Sequence, residues 1–183
     1  NGIAAQTTRR PRKPKPDVLR IENLGPIREA EIAFGDLTVI VGPQATGKSI
    51  FLQTLKLVLD RDQIHDTFKH HSVAFNGDSA AFLGGYYGKG MAAAWKEDLS
   101  KLHWNAKSLN LPGLAKATKA RERKESLFFI PAQRVMSLAG GGTQNFGQFN
   151  YGDPYTLRYF SEAVHDLLQN EFGAKSELFP PPQ

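Results

Sequence analysis

Eight consecutive residues of this 183-residue chain, residues 42–49 with the sequence GPQATGKS, constrain its fold more than any other segment. They fit the pattern G-x-x-x-x-G-K-[ST]. In a loop of this kind consecutive backbone N–H groups surround an anion, and glycine at Gly42 and Gly47 removes the side-chain bulk that would block it. The pattern therefore predicts a loop that binds the phosphates of a nucleoside triphosphate.

The last two residues of the loop have distinct predicted roles. Lys48 is expected to place its ammonium on the β and γ phosphates as a catalytic group, and Ser49 to give its hydroxyl to Mg²⁺. The positive end of the helix that starts there faces the same anion. The predicted nucleotide-binding residues are Gly42, Pro43, Gln44, Ala45, Thr46, Gly47, Lys48 and Ser49.

The segments around the loop predict an α/β fold. Residues 37–41 (LTVIV) are apolar and β-branched, which predicts a buried parallel strand, and residues 49–59 have the apolar spacing of a helix. Residues 18–24 and 29–34 alternate apolar and polar side chains around a Gly-Pro turn. We therefore predict an antiparallel β hairpin that precedes the strand of the phosphate loop.

Composition and charge narrow the class of protein. No apolar stretch approaches the roughly 18 residues of a membrane span, and the polar N-terminus resembles no signal peptide, so we expect a soluble, cytoplasmic chain. The absence of cysteine excludes disulfides and thiolate metal sites. The net charge of +5 comes from five basic residues before the first acid. Residues 1–16 are predicted to be a basic disordered tail.

The string IENLGPIREAEIAF followed by LTVIVGPQATGKS resembles the start of the ATPase head shared by ABC proteins, SMC-type proteins and RecF- or OLD-like ATPases, among the AAA-type P-loop proteins. The resemblance is strong for residues 18–59 and weaker beyond them. It implies that the bound ligand is ATP with Mg²⁺. It also implies ATP hydrolysis coupled to DNA repair or defence.

A second segment, FIPAQR, also resembles the RecF- and OLD-like ATPases. It closes an apolar run, residues 127–131, that predicts another buried strand. The resemblance makes Gln133 the candidate for the glutamine that senses Mg²⁺ and the attacking water, a catalytic and metal-contacting role. A plain strand-end cap is the alternative for this residue.

A hydrolysing P-loop enzyme needs an acid at the end of a second apolar strand, and this chain offers none. The one apolar run that ends in an acid closes at Asp60, on the helix that leaves the loop. The glycines at 140–142 do not match the signature motif of ABC heads, because a polar glycine-rich loop follows them. We therefore expect residues 17–183 to be the N-terminal lobe of a head, with a variable helical insert near 60–126. The resemblance then implies a C-terminal lobe and a second head as partners.

Two other interpretations remain open. The chain could be a P-loop kinase of a small substrate, with Arg121 and Arg123 as lid residues. It could also be a non-catalytic, nucleotide-gated module that binds nucleic acid through its tail, its basic run at 116–124 and aromatic residues that stack on bases. Those aromatic residues are Tyr86, Tyr87, Trp95 and Trp104, for which core packing is the alternative. A GTPase is excluded because no N/T-K-x-D motif is present.

Overall fold

The computed structural model describes residues 15–116, 125–132, 142–150 and 152–169. The basic tail up to residue 14 and the proposed lid residues Arg121 and Arg123 lie outside these ranges. No described helix is both long enough and apolar enough to cross a membrane. The elements are β1 (Val18–Leu24), β2 (Ile27–Ala33), α1 (Lys48–His70), α2 (Ser79–Tyr87), β3 (Lys101–Trp104), β4 (Lys107–Leu109), α3 (Leu111–Leu114) and α4 (Tyr155–Leu167).

The first two strands form the predicted antiparallel hairpin. Leu19 lies opposite Ile32, and Leu24 lies opposite Ile27 across the turn. Gly25 in that turn has a φ of +54°, which glycine adopts without strain. On its other side β1 pairs with β3, and β4 pairs with β3, so the sheet has the order β2-β1-β3-β4. Every pairing in this sheet is antiparallel.

The buried parallel strand predicted at residues 37–41 is wrong for the described structure. Residues 38–43 belong to no strand or helix, and Leu37, Val39 and Val41 are 84%, 71% and 84% exposed. A strand forms only where neighbouring backbone completes its hydrogen bonds. Both edges of β1 are occupied by β2 and β3, and no described strand lies beside residues 37–41. Composition alone could not reveal that this partner is missing.

The apolar run at residues 127–131 departs from its prediction in the same way. It belongs to no strand, and its side chains alternate between half-buried and exposed positions. Phe128 and Ile130 are 53% and 68% exposed, while Phe129 is half-buried. This segment therefore also presents one apolar face outward.

Trp95, Leu99 and Leu102 fall at i, i+4 and i+7, a spacing that predicts a helix, but the structure forms no helix there. Leu102 lies on β3 opposite Ile21, and Trp95 forms an isolated antiparallel bridge with Leu24. Leu99 is exposed. Pairing with β1 gives this segment backbone hydrogen bonds and apolar burial together, which outweighs a helical spacing of only three residues.

Residues 84–90 (GGYYGKG) contain four glycines, which predicts a flexible loop, but the structure is more ordered there. Residues up to Tyr87 belong to α2, whose N-cap Asp78 accepts hydrogen bonds from the backbone N–H groups of Ala80 and Ala81 at 2.9 and 3.0 Å. Aromatic burial of the last helical turn stabilises α2 despite its glycines. The helix therefore ends only at Gly88.

An aromatic core joins α1, α2, α4 and the 3₁₀ turn Phe146–Gln148. Phe68 packs 5.1 Å from Tyr155 and 5.8 Å from Phe146 between ring centroids, and Tyr86 stacks on Tyr155 at 5.5 Å. Burial raises the pKa of both tyrosines well above the ordinary value, so they stay neutral. Tyr86 and Tyr87 are thus core residues, as the packing alternative predicted. Trp95 and Trp104 pack half-buried against the same core.

A buried polar cluster, which we call the α1 clamp, fastens residues 125–127 to α1. It consists of Lys56, Asp60, Glu125 and the backbone of Ser126 and Leu127. Lys56 Nζ donates to Asp60 Oδ2 at 2.9 Å, and the two side chains are only 1% and 2% exposed. Lys56 also donates to Glu125. Asp60 has non-helical backbone angles (φ −118°, ψ 28°), so the clamp sits at a kink in α1.

Asp60 is ionised within the clamp at neutral pH. Burial by itself raises the pKa of this carboxyl. Hydrogen bonds from Lys56 and from the backbone N–H groups of Ser126 and Leu127 outweigh that effect and bring the pKa below the ordinary aspartate value. Asp60, the acid at the end of the apolar run on α1, therefore belongs to a buried ion pair.

Candidate functional site

The predicted phosphate loop follows residues 37–41, which belong to no strand, and leads into the first turn of α1. Ala45 and Gly47 have positive φ angles of +62° and +92°, which turn the chain twice within a few residues. Thr46 Oγ1 donates a hydrogen bond to the carbonyl oxygen of Pro43 at 3.0 Å, which closes the loop on itself. Turns that combine right- and left-handed residues point successive N–H groups to one side and bind anions.

Gly47 is required by space as well as by backbone angle. A Cβ atom at this position would lie 2.5 Å from Ile27 Cγ1 and 3.3 Å from Pro26 Cγ. The end of the loop therefore packs directly against the turn of the β1–β2 hairpin. This contact explains how the antiparallel hairpin holds the loop in place.

The N-terminus of α1 is open to an anion. The helix runs for 23 residues and begins at Lys48 directly after the loop, without a side-chain cap and without an acidic residue in its first turn. Its first intrahelical hydrogen bond runs from Phe51 N to the Gly47 carbonyl oxygen at 2.8 Å. The N–H groups of the preceding turn are therefore left for a ligand, and the helix dipole adds positive potential there.

Lys48 bends back over the loop. Its Nζ atom donates to the carbonyl oxygen of Gly42 at 2.8 Å and also to that of Pro43. The ammonium is thus held at the mouth of the loop by neutral carbonyl groups. Phosphate oxygens form stronger hydrogen bonds with an ammonium than carbonyl oxygens do, because both partners are charged. A nucleotide could therefore take over these contacts.

Ser49 lines a cleft of about 380 Å³ between α1, the start of α4 and residues 129–132. Pro131 and Ala132 form part of the opposite wall. Gln53 also lines the cleft, one turn after Ser49 on α1, and its Nε2 donates to Thr156 Oγ1 at 3.2 Å. Gln53 was not among the predicted site residues, although its i+4 spacing from Ser49 places both residues on one face of a helix.

The structure brings the eight predicted loop residues into one continuous, accessible turn. Residues 42–46 and Ser49 are exposed, while Gly47 and Lys48 are half-buried against the hairpin. Gln133, the ninth predicted site residue, lies outside the described residues. The described chain reaches Ala132, on the wall of the cleft that Ser49 also lines.

The side chains at the loop suit a magnesium ion that is bound mainly by the phosphates of a nucleotide, rather than one enclosed by protein ligands. Within the described ranges no group of three or more His, Cys, Asp or Glu side chains is placed to hold a metal ion. Magnesium typically takes one or two protein ligands together with phosphate oxygens and water. The Ser49 hydroxyl beside the loop fits that role.

Comparison with known proteins gives one finding. A family model described as an AAA ATPase domain matches residues 17–124, more than half of the chain. The matched range contains the hairpin, the phosphate loop and all of α1. No curated protein and no solved structure matches this chain.

Proposed function

The chain belongs to the AAA ATPase domain family of nucleotide-binding P-loop ATPases, and from this premise we propose that residues 42–49 bind ATP with Mg²⁺. One observation carries the proposal: an exposed glycine loop ends at the uncapped N-terminus of α1, with the Lys48 ammonium held above it. Backbone N–H groups, helix dipole and ammonium then act together on the triphosphate. In this arrangement Lys48 contacts the β and γ phosphates.

Magnesium binding is assigned to Ser49. Ser49 is exposed and lines the cleft, and Mg²⁺ would supply the charge that holds the β and γ phosphates together. Gln133 follows Ala132 in the sequence and is proposed as the second contact to Mg²⁺ and to the attacking water. That assignment comes from the resemblance of the FIPAQR segment.

Ser49→Ala is expected to reduce the contribution of Mg²⁺ to ATP affinity by about tenfold to a hundredfold, because one charge-assisted contact is lost (about 1.5–3 kcal/mol). ATP affinity without Mg²⁺ should stay within about twofold of wild type. Calorimetric titrations with and without Mg²⁺ measure both values. Ser108→Ala, an exposed hydroxyl on β4, is the matched control. An unchanged Mg²⁺ effect in Ser49→Ala would remove Ser49 from the metal site.

Hydrolysis is proposed to require a further lobe. The exposed apolar side chains of residues 37–41 and 128–130 support this, since such apolar surface is unfavourable in water and usually marks an interface. We propose that strands of a C-terminal lobe cover it, and that ATP is then enclosed between two heads. A link to DNA repair or defence follows the families that the loop and hairpin resemble.

This proposal predicts negligible ATP turnover by the 183-residue chain alone, because its sequence has no acid at the end of a second apolar strand. Steady-state phosphate release in Mg·ATP, with Lys48→Ala as the background, measures it. Turnover well above that background would contradict the need for a second lobe and favour a self-sufficient ATPase.

A further inference from the structure

We propose that Lys56 and Asp60 are positioning residues for the phosphate site: they fix the register of residues 127–132 along α1 and thereby build the wall of the cleft beside Ser49. The inference rests on the proposed function of residues 42–49. Neither side chain reaches the loop itself, so both would act on the site through the position of residues 127–132.

The α1 clamp forms hydrogen bonds with the backbone of two consecutive residues, Ser126 and Leu127. Asp60 Oδ1 accepts a hydrogen bond from Ser126 N at 2.7 Å, and Asp60 Oδ2 accepts one from Leu127 N at 2.9 Å. Lys56 Nζ donates to the carbonyl oxygen of Leu127 at 2.7 Å. Both polar groups of the Leu127 backbone are therefore held by the same ion pair. A shift of the segment by one residue would break all three contacts.

The part of α1 from Ser49 to Asp60 is about as long as the segment from Leu127 to Ala132. Ser49 and Asp60 are eleven residues apart on α1, about 16 Å at 1.5 Å per helical residue. Leu127 and Ala132 are five residues apart, about 17 Å when extended at roughly 3.3 Å per residue. The segment starts at the clamp and reaches the cleft that Ser49 lines. Residues 127–132 therefore run along α1 toward its N-terminus, and their register decides which residue faces Ser49.

A buried ion pair fixes the register of residues 127–132 along α1 better than apolar side chains would. Apolar side chains of similar volume often stabilise a core as well as a buried ion pair does, because desolvation offsets much of the attraction between the charges. Apolar side chains form no hydrogen bond with a backbone N–H or carbonyl group. They also offer no partner to the Glu125 side chain, whose contact with Lys56 distinguishes the observed register from a slipped one. The apolar side chains of residues 127–130 alternate, so packing alone would accept a slip of two residues almost as well as the observed register.

The test uses the whole 183-residue chain with the double substitution Lys56→Met/Asp60→Leu. This variant replaces the Lys56–Asp60 ion pair with apolar side chains of similar volume, so the core remains filled. Glu125 loses its contact with Lys56, but its side chain is 23% exposed and keeps the hydrogen bond from the Tyr159 hydroxyl at 3.3 Å. Asp60→Asn is a second variant that keeps the shape and one acceptor oxygen. The control is Glu22→Leu/Lys101→Met, which removes a more exposed ion pair of 3.2 Å on the sheet. Circular dichroism and urea unfolding identify the folded variants.

The first readout is register, measured without nucleotide. Nitroxide labels on Asp66→Cys and Ile130→Cys, both exposed in a chain that has no cysteine, report the distance between α1 and the segment. We expect one narrow distance in the wild-type background. In the clamp variants the distribution should broaden or shift by about 3 Å or more, roughly one extended residue. An unchanged distribution in a folded clamp variant would overturn the register role.

The second readout is the ratio of ATP affinities with and without Mg²⁺. In the clamp variants we expect this ratio to fall about tenfold, while ATP affinity without Mg²⁺ changes less than about threefold. A shifted distance with an unchanged ratio would overturn the link between the clamp and the site. Failure of the wild-type chain to bind ATP at all would instead contradict the proposed function, and the distance measurement would still decide the register.

Discussion

Replacing Lys48 with alanine is expected to weaken Mg·ATP binding about a hundredfold or more and to leave the fold intact. Each charge-assisted hydrogen bond from the ammonium to a phosphate contributes about 1.5–3 kcal/mol, and two such bonds correspond to at least two orders of magnitude in Kd. Among the residues that the structure describes, Lys48 Nζ bonds only the loop carbonyls of Gly42 and Pro43, so few native contacts are lost. Calorimetry measures the Kd, and urea unfolding measures the stability.

Lys69→Ala is the matched control for this substitution. Lys69 is exposed in the last turn of the same helix, about 30 Å from Lys48 along α1. Both variants lose one positive charge, but only Lys48 lies at the loop. Equal losses of affinity in the two variants would mean that ATP responds to net charge alone, and the loop would then not be the binding site.

Gly47→Ala is expected to destabilise the folded chain by about 2–5 kcal/mol and to impair ATP binding. A residue with a Cβ pays about 1–2 kcal/mol in the left-handed region, and overpacking adds about 1–3 kcal/mol. The overlap is specific, because the new Cβ would stand 2.5 Å from Ile27 Cγ1 on the hairpin. Relief of that overlap would move the loop away from the hairpin. Urea unfolding and ATP titration measure the two effects.

Gly90→Ala measures the cost of a positive φ angle without any overlap of the new Cβ atom with a neighbouring side chain. Gly90 has a φ of +91°, almost the same as the +92° of Gly47, but a Cβ there would meet no atom within 4 Å. We expect Gly90→Ala to lose only about 1–2 kcal/mol of stability and no ATP affinity. If the two substitutions had equal effects, the contact between loop and hairpin would have no energetic role.

The parts of this fold that the sequence predicts are those whose determinants are local. The β1–β2 hairpin follows from alternation around a Gly-Pro turn, and α1 follows from apolar spacing after a glycine loop. The strand predicted at residues 37–41 failed because it depends on a partner that the described chain does not supply. The helix predicted through Trp95 and Leu102 failed because pairing with β1 is a long-range interaction.

The same distinction applies to the candidate site. The eight loop residues are contiguous, so their chemistry is visible in the sequence, and their role in binding ATP stays a prediction. The contacts of Lys56 and Asp60 with residues 126 and 127 could not be predicted from the sequence, because these partners lie more than 60 residues away in the chain. Gln133 was predicted by resemblance alone and stays a prediction. Only tertiary structure shows that the segment before it ends beside Ser49.

If residues 42–49 hold Mg·ATP, the wild-type chain must bind it in a calorimetric titration with ATP in excess Mg²⁺. We expect saturable binding of one ATP per chain that weakens when Mg²⁺ is removed. Absence of heat and of any stabilisation against urea at millimolar ATP would contradict it, because a ligand that binds the folded state must raise its stability.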